Sequence, residues 1–292
     1  METKSNGVDM MDWARAPPKK GPFLERLGKV LYDPEEKSFL GRTPKRWGII
    51  LAFYLVFYIV LAVLTSICFG GLYLSLDENK PTYTLKESLI GANPGVAYRP
   101  RSEDGFLMKY SMDNSSHTVE LVDQIKEFLE AHDKESYAAK TTCNAADNYG
   151  FPETPCFFIK LNKIYAWEPQ FYDEVSALPD DMPPALVAHI SSLPHEERKQ
   201  VWISCEEEKT NTTTLSYPWG MGLPGRYYPF MNVPGYQSPI VAVQITPPTN
   251  VQVAIRCRVW AKNVIYNKSL KEPSGYTRIL LTVENDNEDH RK

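Results

Sequence analysis

The sequence predicts a mainly β protein: one N-terminal transmembrane helix, then an antiparallel β-sandwich with a short amphipathic helix. Three observations carry this. Residues 47–76 (WGIILAFYLVFYIVLAVLTSICFGGLYLSL) contain no charged side chain. Beyond them, several short segments alternate apolar and polar residues with a period of two. Four of the five cysteines lie in that downstream part, an even number that suits an oxidising compartment.

Composition narrows the class. Aromatic residues at 12% and apolar residues at 43% argue against a disordered chain. A net charge of −4 gives no support for nucleic-acid binding, which runs on clustered basic charge. The charge is unevenly spread. Residues 1–46 hold ten Lys/Arg and seven Asp/Glu, whereas residues 77–292 hold 22 and 29. The expected organisation is a cytoplasmic tail (1–46), a membrane helix acting as signal anchor (47–76) and an exterior domain (77–292).

Thirty uncharged residues exceed the ~20 that span a bilayer. The span is placed at Ile49–Tyr73, with Trp47 at one end and Phe69 and Tyr73 at the other, where interfacial rings belong. It starts too late and runs too long for a cleaved signal peptide. Lys37, Arg42, Lys45 and Arg46 precede it, and only Lys80 and Lys86 follow closely. The positive-inside rule therefore puts the N-terminus in the cytoplasm, a type II topology. Three glycosylation sequons, at Asn114, Asn211 and Asn267, all follow the span.

In the exterior part, residues 77–118 read as loop, with Pro81, Pro94 and Pro100. A helix follows Thr118, with Leu121, Val122, Ile125, Phe128 and Leu129 on one face. The period then changes to two. Residues 156–167 read as a strand or bent hairpin, Gln200–Cys205 and Pro239–Thr246 as strands. Asn250–Trp260 is the clearest strand, and Tyr276–Glu284 the last. Proline-rich segments 179–194 and 218–248 serve as loops or short helices. Cys205 and Cys257 fall on the apolar faces of their strands, where a bridge would pin two strands across the core. Cys143 and Cys156 would close a shorter loop around Asn148-Tyr-Gly. Four cysteines allow three connectivities, and a zinc site is the rival reading, disfavoured by the lack of any CxxC.

Catalytic motifs are missing: GxSxG, HExxH and the P-loop do not occur. A literal GxGxxG at Gly220, Gly222 and Gly225 is broken by prolines and lacks the strand-before, helix-after context of a dinucleotide loop. His117, His132, His189, His195 and His290 show no metal spacing, so neither cofactor nor metal is expected. The acidic run Glu206–Glu208 reads as a solvated loop. Golgi glycosyltransferases share the type II topology but use an Asp-x-Asp that is not present here. Within the span, Phe53-Tyr54 and Phe57-Tyr58 place two tyrosines at i, i+4 on one helix face. Hydroxyls deep in lipid need acceptors, so a partner transmembrane helix is expected there.

The segments FLGRT (39–43), FYLVFYIVLA (53–62), NYGFPETPCFFIKLNKIYAW (148–167), VWISC (201–205), YYPF (227–230), SPIVAVQ (238–244) and IRCRVW (255–260) resemble the beta subunits of sodium/potassium-transporting ATPases, in order and spacing. The gastric proton/potassium-pump beta subunit shares that plan. The resemblance implies an immunoglobulin-like exterior domain and a catalytic P-type alpha subunit as partner. It implies a non-catalytic role in alpha folding, export and stability and in potassium affinity, at the plasma membrane. It leaves room for a small single-span regulatory subunit. It further implies disulfides Cys143–Cys156 and Cys205–Cys257, and contact of Phe53, Tyr54, Phe57 and Tyr58 with alpha. The family commonly has three exterior disulfides; the first pair has no counterpart here. The alternative is a cell-adhesion glycoprotein acting without the pump.

Overall fold

The computed structural model describes residues 22, 27–28, 31–34, 37–102, 107–130, 132 and 140–285. Most of the expected cytoplasmic tail, and His290, lie outside them. The chain divides into two compact units, Met1–Leu76 and Asp77–Lys292.

In the first unit a small antiparallel pair, β1 (Tyr32–Asp33) and β2 (Ser38–Phe39), precedes helix α1 (Pro44–Ser75). Thr43 is extended at the N-cap, and Pro44 sits at the first helical position, where its missing N–H costs nothing. The Trp47 indole donates to the Phe39 carbonyl at 2.8 Å and ties the pair to the first helical turn. The 32-residue helix is long and apolar enough to cross a membrane, and none of its residues is buried by the chain itself. It encloses the expected span with five extra residues before it and two after. Among these, Lys45 and Arg46 extend the helix beyond the apolar run.

The second unit is a two-sheet sandwich. Its elements are β3 (Val96–Arg99), β4 (Leu107–Ser111), α2 (Ser115–Glu130), β5 (Cys156–Leu161), α3 (Pro184–Ser192), β6 (Gln200–Glu207), β7 (Thr214–Ser216), β8 (Gly222–Pro224), β9 (Val241–Thr246), β10 (Gln252–Trp260) and β11 (Tyr276–Glu284). One sheet has the order β4-β11-β10-β6-β8, the other β3-β5-β9-β7. Alternating side chains fill the space between them. Val253, Ile255, Cys257 and Val259 of β10 face Phe157, Ile159, Val241 and Val243 in a continuous core. Helix α2 buries Leu121, Val122 and Ile125, as its spacing predicts. It starts three residues before Thr118. Asn114 supplies the cap: its side-chain oxygen accepts the Ser116 N–H at 3.1 Å.

Several expectations need correction. Residues 77–118 are not all loop: they contain β3 and β4. Strand β4 runs parallel to β11, Leu107 opposite Leu280 through Ser111 opposite Glu284, so the sandwich is antiparallel except at this edge. The strand expected over 156–167 stops at Leu161, and Ala166 takes a left-handed turn (φ 58°) that ends any regular extension. Strand β6 is buried on both faces. Leu186 and Ile190 of α3, with Met182, cover Trp202 and Trp260 in a second apolar cluster. Truncating Trp202 to Ala should therefore cost about 3–5 kcal/mol, measured by denaturant unfolding of the full chain in detergent.

A further correction concerns the long disulfide. Cys205 and Cys257 are direct partners on neighbouring strands β6 and β10, with Cα atoms 3.9 Å apart. The bridge ties two strands of one sheet rather than joining the sheets across the core. Period-two burial places a cysteine on the inner face of each strand, but it does not say whether the strands share a sheet.

Candidate functional site

The membrane helix presents a ledge of four rings. Phe53 and Phe57 stack with centroids 6.3 Å apart, and Tyr54 and Tyr58 with centroids 6.1 Å apart. Edge contacts at 5.5 and 5.4 Å link the two pairs (Phe53–Tyr54, Phe57–Tyr58). The i, i+4 spacing produces each stack, because those residues sit one above the other on a helix. The ledge stays open: Phe53, Tyr54, Phe57 and Tyr58 are between 48% and 63% exposed. Neither tyrosine hydroxyl finds an acceptor among the described residues. Such a surface offers apolar area and two hydroxyl donors to a second helix.

The cysteines pair as Cys143–Cys156 and Cys205–Cys257, and Cys68 is free and exposed on the membrane helix. The shorter bridge closes a preorganised turn. Asn144 caps it by accepting from Ala146 and Asp147, and the Asp147 carboxylate accepts the Asn144 and Cys143 N–H groups. Asn148 and Tyr149 take left-handed conformations there (φ 48° and 54°). Tyr110 donates to the Pro152 carbonyl at 2.6 Å just beyond, and burial pushes its hydroxyl pKa up.

The three sequon asparagines are exposed but sit in different settings. Asn114 caps α2. Asn267 lies on a β-bridge to Ser274, and its side chain accepts the Ser269 N–H at 3.0 Å. Asn211 tops the loop from β6 to β7, which is gathered around one carboxylate. Glu207 accepts from the Thr210 hydroxyl and from the Thr212 and Thr213 N–H groups, the last two at 2.8 and 2.9 Å.

The acidic run is thus no solvated loop. Glu206 and Glu207 are in β6, Glu207 organises the next turn, and Glu208 binds Arg256 of β10 and Arg278 of β11. Their shared partner depends on β6 lying next to β10 and β10 next to β11. Burial pushes the Glu207 pKa up, but the threonine donors outweigh it and hold it down at about 2. A depressed carboxylate adds stability that is complete above its ordinary value of 4.5 and lost as pH falls through about 2. Glu207→Gln should remove that part of the acid dependence, read as unfolding midpoint against pH between those values.

The glycine motif also has its place. Gly222 pairs in β8 opposite Trp202, and a Cβ there would lie 2.8 Å from the Trp202 ring. Gly222 thus serves close strand packing against β6, Gly225 sits against the Lys199 carbonyl and Phe171, and Gly220 takes a positive φ in open space; a single turn of 3-10 helix, Gly225–Tyr227, follows. Of the histidines, His132 is buried against Phe128, whose carbonyl lies 2.7 Å from its Nδ1.

Comparison with known proteins matches this arrangement. The family model described as "Sodium / potassium ATPase beta chain" covers residues 18–147 and 137–279. The chain is 37% identical to sodium/potassium-transporting ATPase subunit beta-1 of Drosophila melanogaster, over 92% of this chain and 94% of the relative. It is 31% identical to subunit beta-2 of the same organism, over 90% and 94%. A more distant relative is the potassium-transporting ATPase subunit beta of Canis lupus familiaris, 25% identical over 89% and 95%. With a family match across most of its length and both disulfides in place, the chain belongs to the sodium/potassium ATPase beta-chain family.

Proposed function

We propose that this chain is the non-catalytic beta subunit of a sodium/potassium-transporting P-type ATPase. It binds a catalytic alpha subunit, assists that subunit's folding and export, and modulates potassium affinity. The observation that carries the reading is the four-ring ledge on α1: ordered, apolar and left exposed by the described residues. Alpha's membrane helices cover Phe53, Tyr54, Phe57 and Tyr58 and accept the two hydroxyls. Binding only the native alpha subunit stabilises it by mass action. Unequal contact with its ion-bound and ion-free states shifts ion affinity.

The test is co-purification in mild detergent. Tyr54→Leu with Tyr58→Leu keeps the helix apolar but removes both hydroxyls. Interhelical hydrogen bonds contribute about 0.6–1.7 kcal/mol each, so recovery of alpha should fall roughly tenfold. Unchanged recovery sinks the assigned role of the ledge.

The topology is type II at the plasma membrane, with residues 77–292 outside and Asn114, Asn211 and Asn267 carrying glycans. Charge asymmetry around α1 and the location of all three sequons after it support this. Each single Asn→Gln change should remove one glycan-sized step from the gel mobility of the full chain. Mobility unaltered by any of the three would place the domain on the other side. A small single-span regulatory subunit completes the assembly and would appear in the same purification.

A further inference from the structure

On the second unit, six Lys and Arg side chains among the described residues form ion pairs with carboxylates. Lys109 pairs with Glu284, Lys126 with Asp123, Arg256 and Arg278 with Glu208, Arg258 with Asp181, and Lys262 with Asp173. One face gathers three cations that do not. Arg99 of β3 lies opposite Phe158 of β5, and Ala97 opposite Lys160. Cross-strand partners project to the same side, so Arg99 and Lys160 are diagonal neighbours on the outer face, with Cβ atoms about 7–8 Å apart. Lys163 follows two residues after the strand. Among the described residues none of the three has a carboxylate within ion-pair distance.

Rings lie beside two of the three cations. The Lys160 ammonium lies 4.9 Å from the centre of Phe128, which also packs on buried His132 at 4.4 Å. Lys163 lies 5.1 Å from Phe230 and 5.2 Å from Tyr236. Burial pushes the Lys160 pKa down, and Arg99 and Lys163 push it further. Burial likewise lowers His132, with Lys160 and Lys163 adding to the effect. The positive groups are close enough to repel one another, on a unit whose 29 acidic residues outnumber 22 basic ones.

We propose that Arg99, Lys160 and Lys163, with Phe230 and Tyr236 beside them, form a binding site for sulfated acidic polysaccharide of the cell surface. The chemistry is complementary on both counts. Several fixed cations along one face suit a chain of repeating sulfates and carboxylates better than a single small anion. Aromatic faces beside them accept the C–H edges of sugar rings. An anionic lipid fits less well, because anionic headgroups concentrate in the cytoplasmic leaflet. The chain's own glycan at Asn114 would start about 21 Å away, fourteen helical residues from Phe128. The site rests on the exterior placement of residues 77–292.

The test uses the full-length chain in detergent with heparin as the probe. It should be retained on immobilised heparin at low salt and be released as salt rises. Lys160→Gln with Lys163→Gln should weaken binding about tenfold and lower the slope of log affinity against log salt by about one per lysine removed. Lys109→Gln with Lys126→Gln removes the same charge from paired sites and should leave binding nearly unchanged. The proposal is overturned if both double variants weaken binding equally, if the wild-type chain passes through at low salt, or if it prefers phosphatidylserine vesicles to heparin. An error in topology would show separately, as no glycan on any sequon, with heparin binding intact.

Discussion

Replacing Cys205 and Cys257 with serine should destabilise the second unit by about 4 kcal/mol, and the same change at Cys143 and Cys156 by about 3 kcal/mol. The order follows from loop length: the first bridge spans 52 residues and the second 13. Cross-linking reduces the entropy of the unfolded chain, and a longer loop forfeits more of it. Position strengthens the ranking. Cys257 lies at the centre of β10, which pairs with both β6 and β11. The Cys143–Cys156 bridge closes a turn that Asn144 and Asp147 already hold by reciprocal hydrogen bonds. The measurement is denaturant unfolding of each full-length variant in detergent, followed by tryptophan fluorescence. A larger loss at Cys143–Cys156 would show that the turn depends on its bridge more than on its capping.

The second large effect is expected at Glu208. Its carboxylate, with the side chain only 10% exposed, binds Arg256 and Arg278, themselves 19% and 30% exposed. Glu208→Ala leaves two guanidinium groups facing each other across β10 and β11 with their shared anion gone. Removing one partner of a buried ion pair costs about 3–5 kcal/mol; solvent reaching Arg278 reduces this to about 2–3 kcal/mol. Arg278→Ala should cost less than Glu208→Ala, because it leaves the Arg256–Glu208 pair intact. Comparing the unfolding free energies of the two variants tests this, and the reverse order would mean that Glu208 is held mainly by Arg278.

Both predictions come from contacts between strands far apart in sequence, and that is where sequence reading reaches its limit. The membrane helix was fully legible: a charge-free run needs no tertiary contact to be recognised. So were α2, β10 and β11, whose own periodicity matches the face they bury. Short β4 was hidden because its partner, β11, lies about 170 residues downstream. The burial of Trp202 was unreadable because the cluster that covers it brings α3 together with Trp260 of β10. The aromatic ledge was visible from an i, i+4 spacing, while the cationic face was not, since it joins residues from β3, β5 and the loop after β5.

The membrane helix, the β character of the following unit, the cysteines available for pairing and the family are all readable without the fold. Each of these depends on local pattern: hydropathy along a run, alternation along a strand, or motif order along the chain. Only the tertiary structure decided which strands share a sheet, and with that the rest. It placed the Cys205–Cys257 bridge within one sheet, gave Glu208 its two arginines and gathered Arg99, Lys160 and Lys163 on one face. Register between distant strands is set by the summed packing of the whole core, which no single segment encodes.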